Sequence, residues 1–248
     1  MIVIPAGNPS LWTGPTGTNT YLLDGRTPVL IDAGVGNRPH LDAIEAALSG
    51  RPLEAVLLTH SHSDHASGVP ALLQRWPAAL VRPSSSPLVD GESMPAGDRI
   101  LMALHTPGHA PDHFCFVDGE QREVYCGDLL RAGGTIVIPA SRGGDLRAYL
   151  DSLRRLRDLQ PRRLWPGHGP AVEEPERLID EYLAHREARE AQIVDALRQR
   201  HGTPSEIAAA VYGNLPSALV AAAGDTVLAH LRKLAEEGRA EIVEGRWR

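Results

Sequence analysis

Seven consecutive residues limit what this chain can be. Thr59, His60, Ser61, His62, Ser63, Asp64 and His65 follow directly on an aliphatic run over 53–58. That run is short and comes after a proline, so it reads as a buried strand rather than a helix. The motif therefore starts where a strand ends. In extended chain, residues two apart point the same way, so His60 and His62 can grip one ion. Asp64 and His65 come after the chain bends and can face a second one. Imidazole and carboxylate ligands suit zinc, and also iron or manganese. The competing explanation is a polar helix N-terminus, where an aspartate is common. Three histidines and an aspartate at these offsets are too specific a pattern for that explanation.

Composition excludes several other classes of protein. Hydrophobic residues make up 42% and charged residues 23% of the chain, which argues against disorder, a collagen-like repeat or a coiled-coil rod. The 25 Lys and Arg against 31 Asp and Glu leave a formal charge of −6, so no basic field announces nucleic acid. No apolar run reaches the length of a membrane span, and no basic leader precedes the first apolar stretch. The two cysteines do not form a C-x-x-C pair, so a reducing, cytoplasmic setting is the expectation. A length of 248 residues allows one large domain plus a small appendix.

Patterning along the chain predicts sheets covered by helices. Strands are expected at 21–23 and 29–31, flanking the Asp24-Gly25 turn signal, and again over 53–58. Leu41, Ile44 and Leu48 mark one face of a helix that stops at Gly50. Segments 84–87 and 91–97 read as loop. Further strands are expected at 100–104, 113–117, 123–126 and 135–138, with a short one at Leu164. Leu146, Tyr149, Leu150, Leu153 and Leu156 mark a second helix, with Asp145 as its N-cap. A long helix is expected over 174–197. Thr203 and Glu206 then form a capping box with Pro204 at the first helical position. A further helix ends at Gly238, and 240–243 with 246–248 make a small hairpin. Three helices and a hairpin in that order predict a winged helix, and the expected domains are 1–180 and 181–248.

The histidine run resembles the HxHxDH signature of the metallo-β-lactamase superfamily. Three later segments are similar to the remaining ligand turns of that family. They are Thr106-Pro107-Gly108-His109, Cys126-Gly127-Asp128 and Trp165-Pro166-Gly167-His168. The resemblance implies an α/β fold, the αββα four-layer sandwich, here with a C-terminal winged-helix domain. It implies a first metal on His60, His62, His109 and Asp128, and a second on Asp64, His65, His168 and the same Asp128. Two divalent ions follow, zinc first, with manganese or iron as alternatives. A pair of ions supplies a hydroxide nucleophile near neutral pH and polarises the substrate oxygen. Asp64 is the expected catalytic residue besides, holding the nucleophile's hydrogen and taking a proton. His113 and Asp32 are candidates to orient ligand histidines, each with a plain structural alternative. Asn19-Thr20-Tyr21 resembles an early strand of the same family and carries no assigned role.

Segments in the C-terminal third, such as Tyr182-Leu183-Ala184-His185-Arg186 and His230-Leu231-Arg232-Lys233-Leu234, resemble the β-lactamase-like protein 2 family. Animal members of that family cut single-stranded RNA, and related domains hydrolyse thioesters. Residues 181–248 carry 9 Lys and Arg against 10 Asp and Glu, which offers little for neutralising phosphates. The expectation is a metal-dependent hydrolase of an ester, thioester or lactone, with no membrane partner. A single-stranded RNA endonuclease is the second reading. The third is a nucleic-acid-binding regulator whose hydrolase-like domain senses metal. The winged helix is expected to cover the active-site rim or mediate dimerisation rather than bind nucleic acid.

Overall fold

Side chains alternate between the two faces of a strand, and here both faces of the central strands are apolar. The computed structural model describes residues 1–83 and 86–248. One sheet runs in the order β1 (Ile2–Pro5), β2 (Asn19–Leu23), β3 (Val29–Ile31), β4 (Ala55–Leu57) and β5 (Leu80–Arg82). Its first pairings are antiparallel, whereas β3–β4 and β4–β5 are parallel. The second sheet runs β10 (Arg163–Pro166), β9 (Glu123–Gly127), β8 (Phe114–Asp118), β7 (Arg99–His105) and β6 (Ser93–Ala96). Only β9–β10 is parallel in it.

Three apolar cores lie between four layers. Leu22, Leu30, Val56 and Val81 pack with Leu41, Ile44 and Leu48 of α1 (Arg38–Leu48) and Leu72 of α3 (Val69–Arg75). Their neighbours in sequence, Tyr21, Leu23, Val29, Ile31 and Leu57, turn the other way and meet Leu101, Ala103, Phe116 and Tyr125 of the second sheet. The outer face of that sheet, with Leu104, Cys115, Val117 and Val124, packs on Tyr149, Leu153 and Leu156 of α4 (Leu146–Asp158). Ile179 and Tyr182 of α5 (Pro175–Arg198) join the same core. This is the αββα sandwich. Both cysteines are free and buried, as small packing groups.

The C-terminal segment folds as α6 (Pro204–Tyr212), α7 (Ser217–Glu236) and a hairpin of β11 (Ile242–Val243) and β12 (Arg246–Trp247). The capping box forms as expected: Thr203 accepts from the Glu206 N–H, and Glu206 accepts from the Thr203 N–H. Ile193 and Ala196 from the end of α5 pack with Ile207, Val227, Leu231 and Leu234. This arrangement is a winged helix built onto the last turns of α5. Helix α7 also reaches back to the sandwich. Ala229 enters its core, Asp225 binds Ser141, and the Arg232 guanidinium donates to the Ala140 carbonyl. Among the described residues, no single helix is long and apolar enough to cross a membrane.

Several expectations need correction. Residues 135–138 form no strand. Two of their carbonyls accept from side chains instead, since Arg186 donates to the Ile136 oxygen and His109 to the Val137 oxygen. Residues 91–97 are not loop throughout but contain β6, an edge strand whose position tolerates Pro95. Strands β1 and β5 and the short helices α2 (Ser63–Ala66) and α3 have no counterpart in the sequence reading. Ser84 and Ser85 of the expected 84–87 loop lie outside the described residues.

Gly68 brings the α2 turn against the exit of β3. A Cβ there would lie 2.2 Å from the Ala33 carbonyl oxygen and 2.8 Å from the Gly36 nitrogen. The contact includes hydrogen bonds from Gly68 N–H to Gly34 and from Ala33 N–H to His65. The Gly68 φ of −74° suits any residue, so the demand is for space alone. Gly68→Ala is expected to cost about 1–3 kcal/mol through overpacking. Thermal melts of variant and parent check this, and an unchanged melting temperature contradicts it.

Candidate metal centre

Strand ends supply every side chain of the cluster. His60 and His62 follow β4, and Asp64 and His65 occupy the single turn of α2. His109 lies beyond β7, Asp128 directly after β9, and His168 after β10. The strand-end loops therefore meet at one edge of the sandwich, where backbones crowd. A Cβ at Gly167 would lie 2.6 Å from the His65 ring and 2.7 Å from Asp128 Oδ1. Gly127 has φ +47°, and a Cβ there would come within 2.8 Å of both Thr59 and His113. These two glycines let the later ligand turns approach the first one.

All seven sequence-predicted residues converge, in two overlapping groups. In the first, His62 Nδ1 is 3.0 Å from His60 Nε2 and 2.8 Å from His109 Nε2. In the second, His168 Nε2 is 3.2 Å from Asp64 Oδ2 and 3.3 Å from Asp128 Oδ1. His65 Nε2 lies 3.4 Å from Asp128 Oδ1, 3.4 Å from His168 Nε2 and 3.5 Å from Asp64 Oδ2. The other oxygen of Asp128 is 3.7 Å from His109 Nε2, so its carboxylate touches both groups. Tetrahedral ligands at zinc bond lengths lie about 3.3–3.4 Å apart, and the second group matches that spacing.

Hydrogen bonds behind the cluster fix which ring nitrogen faces it. The Thr59 hydroxyl donates to Asp32, so His60 Nδ1–H donates to Thr59 and leaves Nε2 facing inward. His65 donates from Nδ1 to Asp32 Oδ2 at 2.7 Å. His109 donates from Nδ1 to the Val137 carbonyl at 2.8 Å. In the first group the lone pairs of His60 and His109 thus converge on His62, which can supply at most one proton between them. In the second group, Asp128 Oδ1 is buried and accepts no well-formed hydrogen bond, meeting His168 and His65 only at 3.3 and 3.4 Å. Converging lone pairs and an orphaned carboxylate oxygen are the donor set a cation would satisfy.

The supporting residues behave partly as expected. Asp32 does both things proposed for it, accepting the Thr59 N–H at 2.8 Å and orienting His65. His113 donates from Nδ1 to Thr106, and its Nε2 accepts the Asp128 backbone N–H at 3.1 Å. It therefore positions the backbone of Asp128 rather than the ring of another histidine. Asn19 and the Tyr21 hydroxyl donate to the Pro166 carbonyl and hold the His168 turn in place. Neither Thr59, Thr106 nor Tyr21 carries a signal readable in a single sequence.

Electrostatics divide the histidines. Burial, reinforced by the neighbouring His65, holds His60 well below its ordinary range. Burial and the adjacent His109 push His62 down to about 4, and burial lowers His109 as well. Burial also takes His113 to about 3. In the second group burial acts the same way but loses. The Asp32 and Asp128 carboxylates hold His65 well above the usual value, and Asp128 and Asp64 raise His168 to about 9. Burial would raise both Asp128 and Asp64, yet facing imidazoles keep each below its usual value.

The cluster floors a cavity of about 790 Å³. Its walls include Asn8, Trp12 and Thr13 of the loop after β1, Arg131 and Ile136 beyond β9, and Ala218, Ala221, Ala222 and Asp225 of α7. The winged-helix segment thus contributes one wall of the cavity.

Comparison with known proteins agrees with the fold and the motif. The family described as "Metallo-beta-lactamase superfamily" matches residues 13–89 and 80–168. The "Beta-lactamase associated winged helix domain" matches residues 203–247. A Caenorhabditis elegans protein named "Beta-lactamase-like protein 2 homolog" is 31% identical, over 91% of this chain and 81% of that one. An Aspergillus chevalieri protein named "Atrochrysone carboxyl ACP thioesterase" is 33% identical, over 87% and 74%. Among solved structures, the metallo-beta-lactamase family protein TTHA1429 from Thermus thermophilus superposes with a TM-score of 0.77 at 24% identity, over 99% of this chain and 97% of that one. TTHA1623 in a di-iron-bound form gives a TM-score of 0.55 at 30% identity, over 68% of this chain and 96% of that one.

The charge division in the cluster has a direct readout in chelated protein. Histidine-labelled NMR at pH 7 is expected to show His168 as an imidazolium titrating near 9, and His62 as a neutral ring down to about 4. Asp32→Asn removes one of the carboxylates facing His65, so the His65 midpoint is expected to fall. A single shared midpoint near 6.5 for these rings contradicts the reading.

Proposed function

The chain belongs to the metallo-β-lactamase superfamily of hydrolases, and on that basis we propose that it is a binuclear metal-dependent hydrolase of a thioester or related ester. The supporting observation is Asp128, whose two oxygens face the two groups of imidazoles separately. In this reading, His60, His62 and His109 with Asp128 hold one cation, and Asp64, His65 and His168 with the same Asp128 hold the other. Residues 1–180 form the hydrolase domain and 181–248 the winged-helix domain. Zinc and iron both suit the nitrogen and oxygen donors, and the di-iron form of TTHA1623 supports iron as an alternative to zinc. Two divalent ions held by these residues would supply a hydroxide nucleophile at neutral pH and a Lewis acid for the scissile carbonyl.

The chain's own residues do the rest. The Asp32 and Thr59 contacts fix the tautomers of His65 and His60, so no rearrangement is needed when a substrate enters. Asp64 is only partly buried and lines the cavity, where its carboxylate can hold a nucleophile's hydrogen and accept a proton. The α7 wall and the Trp12 loop border the cavity that holds the cluster. The named thioesterase relative supports a thioester over other carbonyl substrates, and the acidic charge balance weighs against RNA.

A turnover panel on chelated and metal-reconstituted protein tests the reading, with thioesters, lactones, phosphodiesters and short single-stranded RNA side by side. His62→Ala and Asp128→Asn are each expected to reduce thioester hydrolysis by about 100-fold or more while the circular dichroism spectrum is retained. Cation uptake by the second group displaces protons from His65 and His168, so its affinity is expected to rise with pH towards about 9. Undiminished turnover in both variants overturns the proposal, and RNA cleavage with no ester turnover transfers it to the nuclease reading.

A further inference from the structure

The cavity wall holds a cation that the fold itself does not neutralise. Arg131 sits four residues beyond Gly127, with its backbone fastened on both sides to the Tyr182 hydroxyl. One guanidinium nitrogen donates to the Trp12 carbonyl at 2.6 Å. Its Nε is buried and has no partner, and among the described residues the side chain makes no ion pair. Arg142, exposed on the same cavity, is likewise without an acidic partner among the described residues. The remaining acid on that wall, Asp225, is occupied by the Ser141 N–H and hydroxyl at 3.1 and 2.9 Å. Asp64 and Asp128 face the imidazole cluster.

Most arginines of this chain behave differently. Arg75, Arg82, Arg99 and Arg163, for example, each reach a carboxylate within 2.9 Å. An arginine whose Nη groups keep free N–H donors at the edge of a cavity is a receptor for an oxyanion, which it holds by charge-assisted hydrogen bonds. Other parts of the cavity lining are apolar. Ala218, Ala221 and Ala222 follow a helical three-and-four spacing along α7, and Trp12 offers a half-exposed ring.

We infer that Arg131 is a specificity-determining residue that binds an oxyanion on the substrate, while the α7 alanines and Trp12 receive its apolar body. The substrate class is therefore an anionic thioester or ester. Its charge comes either from a carboxylate on the acyl side or from a phosphate on the thiol side. The inference rests on the hydrolase reading for the position of the scissile bond, and on Arg131 alone for the charge.

Three probes separate the possibilities: the glutaryl and valeryl thioesters of N-acetylcysteamine, and the valeryl thioester of pantetheine 4′-phosphate. Arg131→Met keeps the aliphatic stem and removes the charge. It is expected to lower kcat/KM by roughly 10- to 100-fold on whichever charged probe the enzyme prefers, and by less than about two-fold on the neutral valeryl probe. Arg131→Lys restores part of the loss, which a merely structural role through the Trp12 carbonyl would not give selectively. A selective loss on the glutaryl probe assigns the anion to the acyl side, and one on the phosphate probe assigns it to the thiol side. Equal losses on all three probes, or none, overturn the inference. If wild-type protein turns over no probe, the hydrolase reading fails by itself. The clamp is then read from calorimetric binding of the two charged probes' thioether analogues, one carrying the carboxylate and one the phosphate. Equal binding of both by wild type and Arg131→Met overturns it, and weaker binding of either by the variant sustains it.

Discussion

A single buried carboxylate organises the centre. Asp32 lies at the end of β3 with φ 61°, a left-handed conformation that aspartate tolerates better than most residues. That turn aims its two oxygens at β4 and α2. One takes the Thr59 N–H and the other takes His65 Nδ1–H, while the Thr59 hydroxyl lies 3.0 Å from both. Through Thr59 the same carboxylate also determines which nitrogen of His60 faces inward. Histidines of both groups are therefore set by one side chain that never reaches the cavity. A flexible imidazole would lose part of its affinity for a cation to rotamer and tautomer entropy, and this lattice removes that freedom before any cation arrives.

The two groups differ in charge although they share Asp128. The first is a neutral trio in which burial dominates. The second pairs two raised histidines with two lowered aspartates, because opposite charges within about 3.5 Å outweigh the desolvation that burial imposes. The second group is thus held together by its own charges, whereas the first is held mainly by packing and by hydrogen bonds from behind. Position explains the difference. Asp64 and Asp128 both face His168, whereas only the far oxygen of Asp128 approaches His109, at 3.7 Å.

The winged helix is part of the site rather than a separate appendage. Helix α5 contributes buried residues to the sandwich at its start and to the C-terminal core at its end. Helix α7 is then clasped to the sandwich through Asp225, Ala229 and Arg232. This places its alanine face in the lining of the same cavity as Arg131. Small side chains on that face leave room, and larger ones would fill it. The C-terminal domain therefore contributes one wall of the cavity that holds the imidazole cluster.

The sequence by itself determined most of the layers and the first four residues of the cluster. The short apolar runs of β2 and β3 beside the Asp24-Gly25 turn and the spacing of Leu146, Tyr149, Leu150, Leu153 and Leu156 report local geometry, which a few neighbouring residues decide. The capping box at Thr203 is local in the same sense. His60, His62, Asp64 and His65 were legible because such donor types at tight spacing are rare by chance, whereas His109, Asp128 and His168 were legible only through resemblance to the family's later turns. Other features were not legible because their partners are remote in the chain. Residues 135–138 look like a strand by composition, but Arg186, some 50 residues later, claims the Ile136 carbonyl. Strand β6 looks like loop because its pairing with β7 is fixed only at an edge. Only the tertiary structure decided that His113 supports Asp128 through its backbone, that Arg131 keeps free donors, and that an alanine face from the last helix lines the cavity. Each of these depends on which groups share a space, and sequence spacing carries no information about that.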